Sequence, residues 1–106
     1  MTSHKIVIDK SEISFDYEIE EYLLYDDTLI VRLNWEKENI NSYRNILAFN
    51  NFGELLWKID SKLNGKYPYV KIDKDDNDVL IAYNFSGLKL SLDPLTGLII
   101  KYNANK

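Results

Sequence analysis

Residues Leu80 to Tyr102, LIAYNFSGLKLSLDPLTGLIIKY, are preceded in the same chain by a weaker copy of themselves, and this duplication constrains the fold more than any other feature. Leu88, Leu90 and Leu92 alternate with Lys89 and Ser91, the period-two pattern of a strand with one buried face. Asp93-Pro94-Leu95-Thr96-Gly97 supplies a turn, because Pro presets a negative φ at its start and Gly accepts a positive φ at its end. Leu98 to Tyr102 is the return strand, and Val79 to Asn84, before the break at Ser86-Gly87, is a third. An antiparallel meander follows.

In the earlier copy Thr28 to Asn34 matches Val79 to Phe85, Asn45 to Asn50 matches Leu88 to Asp93, and Gly53 matches Gly97. Asn50 and Asp93 stand about 43 residues apart, near the roughly 40–45 residues of a four-stranded propeller blade. Before the loop the separation is about 51 residues, more than the blade period. The first copy therefore carries an insertion, which falls in Trp35 to Arg44. The repeat units run over about 22–60 and 69–102 of a single domain, 1–106.

Ala48-Phe49-Asn50 through Gly53-Glu54-Leu55-Leu56-Trp57, and Leu92-Asp93-Pro94-Leu95-Thr96-Gly97-Leu98-Ile99, resemble the blade signature of PQQ-type β-propeller repeats, in which an alternating strand meets an Asp-x-x-Thr-Gly turn and a short apolar strand. The first copy lacks the Asp and Thr, and the second has Lys101 near where such repeats place a Trp. More broadly the chain resembles a group of small bacterial proteins built on this pattern, from which no activity carries over. A closed propeller takes at least about four blades. Two units are thus expected to pack on each other as stacked sheets, or to complete themselves as a homodimer through edge strands. A small-ligand binder related to PQQ enzymes is disfavoured, because two blades have no propeller axis on which to seat the cofactor.

The expected fold is all-β: an antiparallel meander of two blade-like units packed as two sheets, preceded by an N-terminal β-hairpin. That hairpin joins Lys5–Ile8 to Ile13–Ile19 around residues 9–12, with Ile13, Phe15, Tyr17 and Ile19 on the buried side and Ser14, Asp16 and Glu18 on the polar side. Tyr22–Tyr25 and Leu29–Leu33 flank an Asp26-Asp27 turn, and Glu36 to Tyr43 is a polar connection with room for a helical turn. Residues 60–68 link the copies, and 103–106 are expected to fray.

Seventeen acidic against thirteen basic side chains give a net charge of −4. Nucleic acid and anionic membrane both call for a positive field, so neither is expected as a partner. No Cys is present, which removes thiolate chemistry, disulfides and Cys-based zinc sites. The apolar run near Met1 is far shorter than the ~7–15 residues of a signal-peptide core, so cytoplasm is the expected compartment.

The candidate chemistry is sparse. Asp73 to Asp78 opens like a calcium loop, but the sixth position is Asp78 where Gly is needed and the twelfth is Asn84 where Glu is needed; a solvated hairpin tip is expected. His4 is the lone imidazole and sits near a chain end, so no catalytic triad is assigned to it. Glu18, Glu20, Glu21, Asp26 and Asp27 form the densest acidic run. A hydrolase using a buried pair among them is the alternative reading, since such work needs carboxylates whose environments differ. No catalytic, cofactor or metal residue is assigned. The favoured expectation is a non-catalytic module that binds a protein, an immunity-type inhibitor of a toxin being one such job. The contact residues are Trp35, Tyr43 and Tyr67 from loops together with Glu20, Asp26 and Asp27.

Overall fold

The computed structural model describes residues 4–8, 10–59 and 67–104. Among the described residues ten strands follow one another as β1 (Lys5–Ile8), β2 (Ser11–Ser14), β3 (Ile19–Tyr25), β4 (Thr28–Leu33), β5 (Ile46–Asn50), β6 (Leu55–Lys58), β7 (Tyr69–Lys74), β8 (Leu80–Asn84), β9 (Leu88–Leu92) and β10 (Ile99–Ala104). Between β4 and β5 lies a single 3-10 turn, Ile40–Tyr43. β1 and β2 form a hairpin, while β3-β4-β5-β6 and β7-β8-β9-β10 are two four-stranded antiparallel meanders. The fold is all-β, as the alternating pattern requires.

The two meanders are equivalent strand by strand. Asn50 Oδ1 accepts from Phe52 N, and Asp93 Oδ1 accepts from Leu95 N, so each copy opens its turn with a side chain reaching two residues ahead. Gly53 at φ +80° and Gly97 at φ +74° close those turns in the left-handed region expected of them. Trp57 pairs with Ala48 in the first sheet where Lys101 pairs with Ser91 in the second.

Three layers result. One face of the first sheet, with Leu29, Val31, Leu33 and Phe49, packs against the hairpin and the segment after it through Ile6, Ile8, Ile13, Phe15, Tyr17 and Ile19. Phe15 meets Phe49 edge-on at 5.6 Å. The opposite face, with Ile30, Ile46, Ala48 and Trp57, packs against Ile72, Leu80, Ala82, Leu90 and Leu92 of the second sheet. β4 lies between both contacts, which is why all six of its residues are buried, Arg32 included. The Arg32 guanidinium meets Glu21, whose carboxylate also accepts from Ile72 N and so ties β3 to β7.

The outer face of the second sheet is polar. Lys89 and Ser91 stand where the first sheet has Ile46 and Ala48, and Lys101 stands where it has Trp57. In stacked repeats a terminal unit with a polar outer face ends the stack. Lys71 and Lys89 lie over the Tyr83 ring on that face, so Lys89 is half-buried, as is Ser91, and not exposed as alternation predicts. Leu90 and Leu92 are buried as expected, and Trp57 is buried with them, whereas Leu88, Ile13 and Phe15 are half-covered because they sit at layer rims.

Two boundaries differ from expectation. β2 ends at Ser14, yet Phe15, Tyr17 and Ile19 stay on the covered face because the segment continues across the first sheet, with Phe15 N donating to His4 O and Ile19 opening β3 opposite Leu33. Glu18 is half-buried there rather than exposed. Asn103 and Ala104 do not fray: they pair with Lys89 and Leu88 at the end of β10. Most of the link at 60–68 lies outside the described residues.

Candidate functional site

The strands place the expected contact residues at two opposite ends. The β3–β4 turn, Asp26-Asp27, and the β7–β8 turn, residues 75–78, occupy the same position in their units and meet: Leu24, Tyr25, Asp26, Lys74 and Asp78 line one recess. Lys74 Nζ donates to Leu24 O at 2.8 Å and sits 4.3 Å from the centre of the Tyr25 ring. Asp75 Oδ1 accepts from Asn77 N and Val79 N, and Asp78 takes φ 62°, so the stretch resembling a calcium loop is a hairpin tip that uses its carboxylate to bind its own backbone. No set of three or more His, Asp or Glu that could hold a metal occurs among the described residues. Tyr25 records the acidity of this end. Burial, then the charges of Asp78, Asp75 and Asp73, push its phenol up to about 12, because both disfavour the phenolate.

Beside Asp26 runs a groove of about 360 Å³ between the hairpin and β3, lined by Ile6, Val7, Ile8, Tyr22, Leu24 and Leu29 among others. Val7 is 62%, Tyr22 55% and Leu24 63% exposed, so the apolar surface here is open to a partner. Asp27 holds the groove's Asn51 through its side-chain amide at 3.0 Å. Sequence reasoning found the two aspartates but missed Val7, Tyr22 and Leu24. Their signal was present as alternation, yet alternation does not tell a covered strand face from an uncovered one.

The aromatic residues are at the other end. Trp35 follows β4 and stands edge-on to Phe85, which follows β8, with ring centres 6.4 Å apart. Asn84 Nδ2 donates to Tyr67 O and Phe85 N to Pro68 O, bringing Tyr67 to the same end. Tyr43 is half-buried, its hydroxyl donating to Lys37 O within the inserted segment. Glu20 is exposed near the start of β3, about 20 Å along the strand from Asp26. The structure thus separates Glu20 from Asp26 and Asp27. Glu21, the neighbouring carboxylate, is committed to Arg32 and to Ile72 N. His4 is held by its backbone, its carbonyl accepting from Phe15 N at 2.7 Å.

A buried amide joins the two sheets at this end. Asn45 donates to Leu33 O and Tyr69 O and accepts from Tyr69 N, all within 3.0 Å, acting as a piece of strand between β4 and β7.

Fold and surface define an all-β protein of two stacked meanders with an acidic end and an aromatic end. The chain belongs to a family described as a domain of unknown function, DUF7957, whose family model matches residues 1–104. Neither a curated protein nor a solved structure matches it. Among the described residues no helix is long and apolar enough to cross a membrane.

Proposed function

We propose that this protein is a non-catalytic binding module that receives a basic protein partner at its acidic end. The observation that carries the reading is the meeting of the Asp26-Asp27 turn with the Asp75–Asp78 turn beside exposed Val7, Tyr22 and Leu24. Carboxylates at a rim raise the rate of encounter with a cationic surface, and apolar side chains at the centre slow its departure. Inhibition of a toxin by masking its basic surface would be one job of this kind. We also read the two meanders as units of propeller-blade type. Support comes from their matched turns and from the contact between them, in which Trp57 lies over Gly97 and donates from Nε1 to Pro94 O at 2.9 Å.

Affinity capture from the native lysate, followed by titration with the purified partner, tests the functional reading. Asp26→Lys with Asp27→Lys should slow association, and Leu24→Ser should speed dissociation. Trp35→Ala, at the far end, should change neither rate. Binding that survives the first two changes and is lost with Trp35→Ala would move the interface to the aromatic end. Turnover of a substrate that is lost with Glu20→Gln would replace the module by the carboxylate enzyme.

A further inference from the structure

A second site lies at the end away from the acidic turns, and it is polar and cationic. The segment inserted between β4 and β5 folds over toward the residues that follow β2, and between them is a cleft of about 320 Å³. Tyr17 and Asn39 fasten its two walls together: Asn39 Nδ2 donates to the Tyr17 hydroxyl, which donates in turn to Glu36 Oε2, each at 3.0 Å. Phe15, Leu33 and Leu47 give the lining an apolar part. Arg44 and Lys58 give it two positive charges, against the one negative charge of Asp16.

Among the described residues neither Arg44 nor Lys58 takes part in an ion pair. The half-buried Arg44 guanidinium makes one hydrogen bond among the described residues, from Nε to Ile59 O at 2.8 Å. That bond fixes the plane of the group, and its terminal N–H groups make no hydrogen bond to a described residue. A guanidinium held in this way matches a carboxylate's two oxygens. The lining itself carries net +1 in a chain of net charge −4, with the Glu36 carboxylate held behind Tyr17. Small-molecule sites are clefts of roughly 300 Å³ and above, a size that this one reaches.

We propose that this cleft binds a small organic monoanion: a carboxylate set against Arg44 and Lys58, carried on an apolar body that rests on Phe15, Leu33 and Leu47. Asp16 on the same lining disfavours polyanions, which separates this ligand from nucleotides and polyphosphates. The second unit has no counterpart of the inserted segment, so the site belongs to the first unit alone.

Titration of isotope-labelled full-length protein with sodium benzoate, and separately with inorganic phosphate, followed by amide NMR, tests the proposal. Benzoate should give saturable shifts confined to residues 14–17, 39–47 and 58, with a Kd of about 1 mM or below. Lys58→Gln, an exposed change that leaves the fold intact, and Arg44→Gln should each weaken binding by about tenfold while the other amides keep their positions. If Arg44→Gln does not fold, Lys58→Gln decides. Shifts that fail to saturate, that fall on another surface, or that are unchanged by Lys58→Gln overturn the site. Phosphate binding as tightly as benzoate overturns the apolar-body requirement.

Discussion

Replacing Gly97 by Ala isolates the contact that joins the two meanders. Gly97 sits at φ +74°, where an L side chain costs about 1 kcal/mol. A Cβ there would stand 2.5 Å from Trp57 Cδ2 and 2.7 Å from Cε3, so the indole must move. Moving it lengthens the Nε1 bond to Pro94 O, worth about 1 kcal/mol, and disturbs a ring in the main core, worth a further ~1–2 kcal/mol. Gly97→Ala should therefore cost about 3 kcal/mol in the native sequence. In a Trp57→Leu background the ring is gone and only the backbone cost, about 1 kcal/mol, should remain. The coupling of about 2 kcal/mol is measurable as a double-mutant cycle from urea unfolding followed by circular dichroism. An equal cost in both backgrounds would mean that the two units do not communicate through this contact.

Asn45→Ala removes three hydrogen bonds and leaves Tyr69 N–H and two carbonyls without their amide partner. It should cost about 3 kcal/mol, read as a lower urea midpoint at unchanged slope, and a loss under about 1 kcal/mol would refute the clamp. Tyr25 makes stability depend on alkaline pH. Its folded pKa, raised to about 12, lies above the unfolded value of 10.0, so the contribution is complete below pH 10 and is lost as pH climbs toward 12. Tyr25→Phe should flatten this part of the profile, and an identical slope in both proteins would refute the assignment. Lys89→Ile combined with Lys101→Trp gives the outer face of the second sheet the residues that the first uses for stacking. The variant should self-associate more strongly than wild type in sedimentation velocity, and unchanged sedimentation would refute the polar-cap account.

What the sequence disclosed was the part of the fold set by local chemistry. Alternation in Leu88–Leu92 and the Gly53 and Gly97 turns located strands and reversals because side-chain period and backbone φ are properties of a few adjacent residues. Burial on both faces of β4 was not legible, since it depends on two other layers, and Arg32 reads as an exposed residue until Glu21 is found beside it. The end of β2 at Ser14 was hidden for a related reason: the apolar alternation through Ile19 reflects the covering layer and carries no information on backbone pairing. Of the candidate site, Asp26 and Asp27 were legible as an acidic turn. Their meeting with Asp78, and the convergence of Asp16, Arg44 and Lys58, join residues remote in sequence and required the fold.

The three-layer arrangement also limits where recognition can occur. Both faces of the first sheet are occupied, one by the hairpin and one by the second sheet, so that sheet offers ligands its strand ends and the margins of its covering layers. The groove beside Asp26 is such a margin, where the hairpin stops short of Tyr22 and Leu24. The cleft at Arg44 is another, made by lengthening one connection in the first unit while the equivalent break in the second stays short at Ser86-Gly87. Loops tolerate such change because they carry few of the contacts that hold the layers together. The two meanders thus differ in two places with different physical effects. Polar residues cover the outer face of the second sheet, and the longer connection at the first sheet's strand ends lines a cleft for which the second sheet's short Ser86-Gly87 break leaves no material.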